Sequence, residues 1–433
     1  MMHETKIPAS DQAQGGRKVP SRREFLGRSS GVILAAALTA TSHGQETHGS
    51  QETRQSEHGK SASDIGPENE LLKQANPNTF LPPTTDHGEV ISFWTSFSTS
   101  HRRIQQGGWS RQVTVADFPI SKDIAGVNMR LTAGGVRELH WHDAVEWAIM
   151  LSGSARITAI DLDGKSFVAD IGRNDLWFFP RGIPHSIQGL APEGAEFLLV
   201  FDDGAFSEGN TTLLTDWTRH TPPEVLAKNW GVPEDALKTI YEGPPDGRYI
   251  FQAQVPPPLQ DDVRAAGAAK GRSPLDFSFL MSKMQPSVQS PHGEVRIVDS
   301  RNFPVASGIA AAHVVLKPGG LRELHWHPNA NEWQYYIEGK GRMTVFFNGG
   351  KARTADFNAG DVGYVPKTFG HYVENVGDTD LVFLEMFRTD RYMDLALSEW
   401  ISNTPPELIM AHLGISRDTL RAIPKAKPVI TPV

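Results

Sequence analysis

Residues 134–153 read GGVRELHWHDAVEWAIMLSG, and residues 319–339 read GGLRELHWHPNANEWQYYIEG. In each copy two histidines one residue apart precede a glutamate: His140, His142 and Glu146, then His325, His327 and Glu332. A third histidine stands five residues after a proline in both halves, His185 after Pro180 and His371 after Pro366. Side chains alternate faces along a strand, so His140 and His142 point one way and Trp141 the other, as do His325 and His327 against Trp326. Three neutral imidazoles and one carboxylate form a donor set for a divalent first-row metal with open positions, and zinc, manganese and iron all suit it. A lone His-x-His would carry little weight; a complete quartet that occurs twice carries much more.

Working outward, short apolar runs follow one another: Val127 to Leu131, Trp147 to Leu151, Ala155 to Ile160, Leu176 to Phe179 and Phe197 to Phe201, with counterparts in the second half. The dipeptides Asp163-Gly164 and Asn348-Gly349 favour tight hairpins between such runs. Many short strands in two equal sets predict an all-β protein of two tandem β-barrels of jelly-roll type. A parallel α/β sheet is excluded because no long helical pattern separates successive strands. The repeat continues beyond the histidines: Thr215-Asp216-Trp217 and Thr221-Pro-Pro-Glu are echoed by Ser398-Glu399-Trp400 and Thr404-Pro-Pro-Glu. Proline suits the first turn of a helix, so each barrel is expected to end in a small helical cap.

The chain has 433 residues, which with the repeat gives two domains: 77–258 and 259–433, the latter including a C-terminal tail. It contains no cysteine, so disulfides, thiolate ligands and cysteine nucleophiles are excluded and any metal takes nitrogen and oxygen donors. Residues 1–43 hold an Arg22-Arg23 pair followed by the apolar run Gly31 to Ala40, too short for the roughly 20 residues of a bilayer span. They read as a cleaved twin-arginine signal, leaving an exported protein with no membrane anchor. Residues 44–76, rich in Gln, Glu, Ser and His, read as a flexible linker. Removing the signal shifts the formal charge from −8 to about −11, which invites no nucleic acid; a small anionic ligand would need local positive charge from metal and arginine. Arg137 and Arg322 each stand three residues before the first histidine. That odd offset puts them on the wrong face unless the strand bulges, as strands beside sites do.

Gly134, the His-x-His pair, Glu146, Gly153 and the second motif ending at His185 resemble the cupin signature, and the second copy fits with Gly360, Pro366, His371 and Asn375. Asn174 and Thr368 depart from the pattern, standing where it has glycine, and Gly189 stands where it has asparagine. From about Asn76 onward the phrases RELHWH (twice), NEWQYYIEGKGRMTVF, GDVGYVP, GHYVEN and FDDGAFSEGNTTLLTDW resemble the bicupin oxalate decarboxylases. The resemblance implies two manganese ions per chain, one on each histidine–glutamate quartet, and the splitting of oxalate to formate and carbon dioxide with dioxygen needed but not consumed. It implies a mobile lid at Ser207-Glu208-Gly209-Asn210 whose Glu208 handles protons, an acid/base role at Glu385 with Tyr392 downstream, and homo-oligomers, trimers or hexamers; Arg137 and Arg322, placed beside the metals, are themselves expected to hold a carboxylate bidentately. Family lids end in Asn-Ser where this one ends in Gly-Asn. Rival readings are an oxalate oxidase releasing peroxide, a non-enzymatic storage or binding bicupin, and a bicupin dioxygenase acting on another small acid or phenol.

Overall fold

The computed structural model describes residues 67–243 and 248–432; the signal, and the linker up to residue 66, lie outside the described residues. Two β-barrels follow. In the second, seven strands and six strands form two sheets that close on one another; in the first, twelve strands form one continuous sheet. The continuity comes from Glu146–Ile160, a single strand of 15 residues where the sequence suggested two. It bends at Gly153 (φ 70°), so that its first half pairs with Leu176–Phe179 and Ala195–Phe201 and its second half with Ser166–Gly172 and His185–Gly189. The expected hairpins are present, Ile160 facing Ser166 and Phe347 facing Lys351 across their turns.

Each barrel has its own apolar interior, one around Met129, Ile157 and Phe197, the other around Val314, Met343 and Phe383. A third core, containing Phe97, Trp147, Trp333 and Phe303, lies between the barrels. Alternation explains the split: Glu146 and Glu332 face inward, so Trp147 and Trp333, one residue on, face the neighbouring barrel. Gly126 is obligatory in that core, because a Cβ there would come within 2.8 Å of the Trp333 ring. The helical caps form as expected, Pro223–Trp230 and Pro406–Leu413, each stopped by a left-handed glycine, Gly231 and Gly414.

Two boundaries differ from the sequence division. The fold begins inside the supposed linker, where the helix Glu70–Ala75 is capped by Asn69 and held by Asn358 Nδ2 donating to the Ala75 carbonyl at 3.0 Å. The barrels also exchange arms. Trp94–Ser96 pairs with Asp361–Val365 of the second barrel, and Asn78 bonds Asp356 there. In return Ser278–Phe279 pairs with Leu176–Phe179 of the first, and Asp262 accepts from Arg156 at 2.5 Å. No local periodicity marks these arms, because their partners lie more than a hundred residues away.

Two of the departures from the cupin pattern fall on left-handed backbone: Asn174 has φ 66° and Thr368 has φ 71°. Asn tolerates this; a β-branched residue does not. The first barrel has Gly182 (φ 70°) in the place of Thr368, both N–H groups donating to the carbonyl of the second histidine of the pair. Thr368→Gly is therefore expected to stabilise the protein by about 1 kcal/mol in denaturant unfolding.

His313, buried on Ala310–Leu316, sits where the first barrel has Asn128, each opposite an arginine of the adjoining strand. Burial, then the charge of Arg296, push its pKa down to about 4 from 6.5. The folded pKa is the lower one, so as pH falls the unfolded chain binds this proton first. Stability is then lost between pH 6.5 and 4. His313→Asn should flatten that part of a melting-temperature profile, recovering on the order of 3 kcal/mol below pH 4.

Candidate metal centres

Each quartet converges inside its barrel. His140 lies on Gly135–Trp141, directly opposite His185 on the neighbouring strand; His325 on Gly320–Trp326 is likewise opposite His371. All eight side chains are buried, and within each quartet the donor atoms lie within 4.8 Å of one another. Every imidazole has its Nδ1 at a backbone carbonyl: His140 at Glu138 (2.6 Å), His142 at Ala144 (2.9 Å) and His185 at Ile183 (2.7 Å). The second site repeats this with His325 at Glu323 (2.6 Å), His327 at Met393 (2.7 Å) and His371 at Phe369 (3.2 Å). Nδ1–H donation fixes the tautomer that turns the Nε2 lone pair inward.

Most of the inward atoms lack hydrogen-bond partners; in the first quartet His142 Nε2 meets Glu146 Oε2 at 3.4 Å. His185, His325, His327 and His371 each leave Nε2 unsatisfied, and Glu332 leaves Oε2 so even though His371 Nε2 is 2.7 Å away, because the pair is not aligned for a hydrogen bond. Such a convergence of orphaned buried donors fits a divalent cation and little else. Electrostatics agree: burial, then the adjacent Arg137 or Arg322, hold His140 and His325 well below the usual imidazole range, and therefore neutral. Burial would raise Glu146 and Glu332, but the adjoining histidines outweigh it and keep both ionised. His327 moves up, burial being outweighed by contact with Glu332.

The bulge required for the arginines is present. Register slips between Arg137 and His140 and again between Arg322 and His325, turning both guanidiniums to the metal side, where they are buried. Glu208 is also buried, in a short 3₁₀ turn Glu208–Asn210 capped by Ser207. Its Oε2 accepts from Ser110 Oγ at 3.0 Å while Oε1 has no partner. Glu208 shares with Arg137, His140, His142 and Glu146 the lining of a cavity of about 10 Å³, room for roughly one water.

The cupin family model matches residues 95–237 and 280–421, one copy per barrel. Oxalate decarboxylase OxdC of Bacillus subtilis is 50% identical over 365 residues, spanning 84% of this chain and 93% of the relative. The chain is a bicupin of the oxalate decarboxylase family. A probable oxalate decarboxylase of Arthroderma benhamiae is 42% identical, over 86% of this chain and 92% of its own. A solved Bacillus subtilis oxalate decarboxylase, studied for its Mn(II) centres, superimposes with TM-score 0.83 at 49% identity, covering 86% of this chain and 97% of that one.

This bicupin's two sites differ in what holds the arginine. Arg322 is locked: Nε donates to Glu385 Oε1 at 3.3 Å, and Nη2 to Tyr392 Oη at 2.7 Å and Asp394 Oδ2 at 2.6 Å. Lys427 also pairs with Asp394, whose pKa is held down to about 2 because Arg322 and Lys427 outweigh its burial. Glu385 goes the other way, burial raising it against the pull of Arg322. In the bicupin's first site Leu199 occupies the place of Glu385, and Arg137 forms no ion pair among the described residues. It stacks on Tyr249, 3.8 Å from the ring centroid, and makes only long bonds, 3.4 Å each, to the Tyr249 carbonyl and Thr211 Oγ1.

Sequence reasoning had not found Tyr249, Thr211, Asp394, Lys427 or the groups behind the ligand carboxylates. Glu146 Oε1 accepts from Trp177 Nε1 (2.9 Å), Glu332 Oε1 from Gln334 Nε2 (2.7 Å). The strand pairs Ala148–Trp177 and Gln334–Gly363 occupy the same place in the two barrels, so the large polar side chain has changed strands. Comparing the two repeats position by position would have exposed that exchange.

Proposed function

We propose that this bicupin splits hydrogen oxalate to formate and carbon dioxide at manganese in the first site, with dioxygen needed and not consumed. The observation that carries this reading is Arg137: buried, and free of any ion pair among the described residues, it lines one small cavity together with Glu208 and the first quartet. A guanidinium so placed holds one carboxylate of a two-carbon acid. Named activity in relatives of such high identity supports the substrate, and the Mn(II) centres of the solved relative support the metal. When bound, manganese with dioxygen supplies the one-electron chemistry that loosens the carbon–carbon bond.

The chain's own residues do the rest. His140, His142, Glu146 and His185 hold the ion, and once the lid carrying Glu208 has opened the one-water cavity to admit the acid, Arg137 fixes the far carboxylate. Glu208 Oε1, lacking a partner, accepts the acid proton and returns it to carbon after carbon dioxide departs, so the one proton of the acid ends as the formate C–H. Phe201, Phe206 and Met129 line the cavity and exclude water. In the second site Glu385, Tyr392 and Asp394 already engage Nε and Nη2 of Arg322 and leave only Nη1 without a partner, which favours the first site for oxalate. Incubating manganese-loaded protein with oxalate tests the reading: formate and carbon dioxide in equal amounts are expected. Peroxide with carbon dioxide alone would mean an oxidase, and no product a binding bicupin. We further propose twin-arginine export and assembly into trimers or hexamers, to be checked by N-terminal sequencing of the secreted protein and by light scattering.

A further inference from the structure

On the solvent side of the lid lies a second cavity, of about 240 Å³, walled by His101, Arg103 and Arg111 on one side and by Ser207, Glu208 and Gly209 on the other. Glu208 is the residue this chamber shares with the small cavity at the first quartet, so its carboxylate is the partition between them. Neither Arg103 nor Arg111 of the outer chamber makes an ion pair among the described residues; Arg103 stacks on Tyr249 at 4.2 Å, and the adjacent Arg102, outside the lining, stacks on Trp109 at 4.5 Å. Arg111 also lies over Trp109 and is fixed by Asn128 Oδ1 (2.9 Å) and the Phe97 carbonyl (3.1 Å). Besides Glu208 the chamber has one carboxylate, Asp117, which accepts from the Thr114 N–H and hydroxyl. Aromatic rings hold these guanidiniums in place without cancelling their charge.

The same Tyr249 ring that carries Arg103 on the chamber side carries Arg137 on the metal side. A chain of net charge −8 disfavours a small anion over most of its surface, and cations without ion-pair partners focus the field locally in its favour. We propose that the chamber is an outer docking site for small dicarboxylate anions, in which oxalate is held by Arg103 and Arg111 until the lid carboxylate withdraws and Arg137 takes it over. This rests on the oxalate decarboxylase reading above.

The test compares wild-type holoenzyme with Arg103→Ala and Arg103→Lys, measuring kcat and KM for oxalate over a range of ionic strength. Arg103→Ala is expected to lower kcat/KM about three- to tenfold at low salt, through KM, and to flatten its dependence on salt. Arg103→Lys, which keeps the charge, should restore most of both. Calorimetric titration of metal-free protein with oxalate should show a weak site that Arg103→Ala abolishes. Unchanged KM and salt slope in Arg103→Ala would overturn the docking site, as would a loss confined to kcat, which would mean that Arg103 only positions Tyr249. A wild-type enzyme that makes no formate would refute the decarboxylase reading instead, and the titration would still decide whether the chamber binds the anion.

Discussion

Glu208→Ala should cut formate production by about 10²- to 10⁴-fold, the usual worth of a positioned acid/base, while the metal content stays that of the wild type. Glu208 touches no member of either quartet through a hydrogen bond; it bonds Ser110 Oγ, Gln112 and Thr211, and its carboxylate acts on the Tyr249 hydroxyl. Nothing about metal retention therefore depends on it. Removing it deprives the carbon of its proton source, and the fragment left after carbon dioxide departs can then be oxidised by dioxygen to a second carbon dioxide, with peroxide as the reduced product. Formate by enzymatic assay, peroxide by a coupled dye and metal by elemental analysis give three independent readings. Wild-type rates of formate release from Glu208→Ala would remove this residue from the chemistry.

The second large effect separates the two arginines. Arg322→Met should destabilise the fold by roughly 3–5 kcal/mol, since it strands Glu385 and Asp394 in the barrel interior with only Lys427 as counter-charge. Arg137→Met has no buried carboxylate to strand and keeps the apolar stem against Tyr249. It should leave the unfolding midpoint nearly unchanged and abolish oxalate turnover. Chemical denaturation of both variants, beside their kcat/KM, checks the pair; equal losses of stability would mean that the two sites are built alike after all.

Much of the site was legible because metal chemistry imposes spacing that folding must respect. Two histidines on one face of a strand, a glutamate at the start of the next and a histidine after a proline turn identify themselves, whereas the contact between barrels at Trp147 and Trp333 was not read from the sequence. The arginines were harder, since their odd offset contradicts simple alternation and only a register slip resolves it. Tyr249 was invisible: a left-handed residue (φ 53°) outside any glycine pattern brings its ring to Arg137, and Val429 (φ 58°) makes the same turn beside Arg322 without a ring to offer. The fifteen-residue strand was read as two because Gly153 interrupts its periodicity at the point where it passes from one layer to the other.

The exchanged arms have a consequence for the whole molecule. Because Trp94–Ser96 completes the sheet of the later barrel and Ser278–Phe279 extends that of the earlier one, a protease nick near Val255 would yield two fragments that remain clasped, each wearing a strip of the other. The tandem chain is in this sense a knotless handshake between two single-barrel subunits, made permanent by one short connection. Expressing either half alone would give a barrel with one flank bare and a foreign strap hanging free.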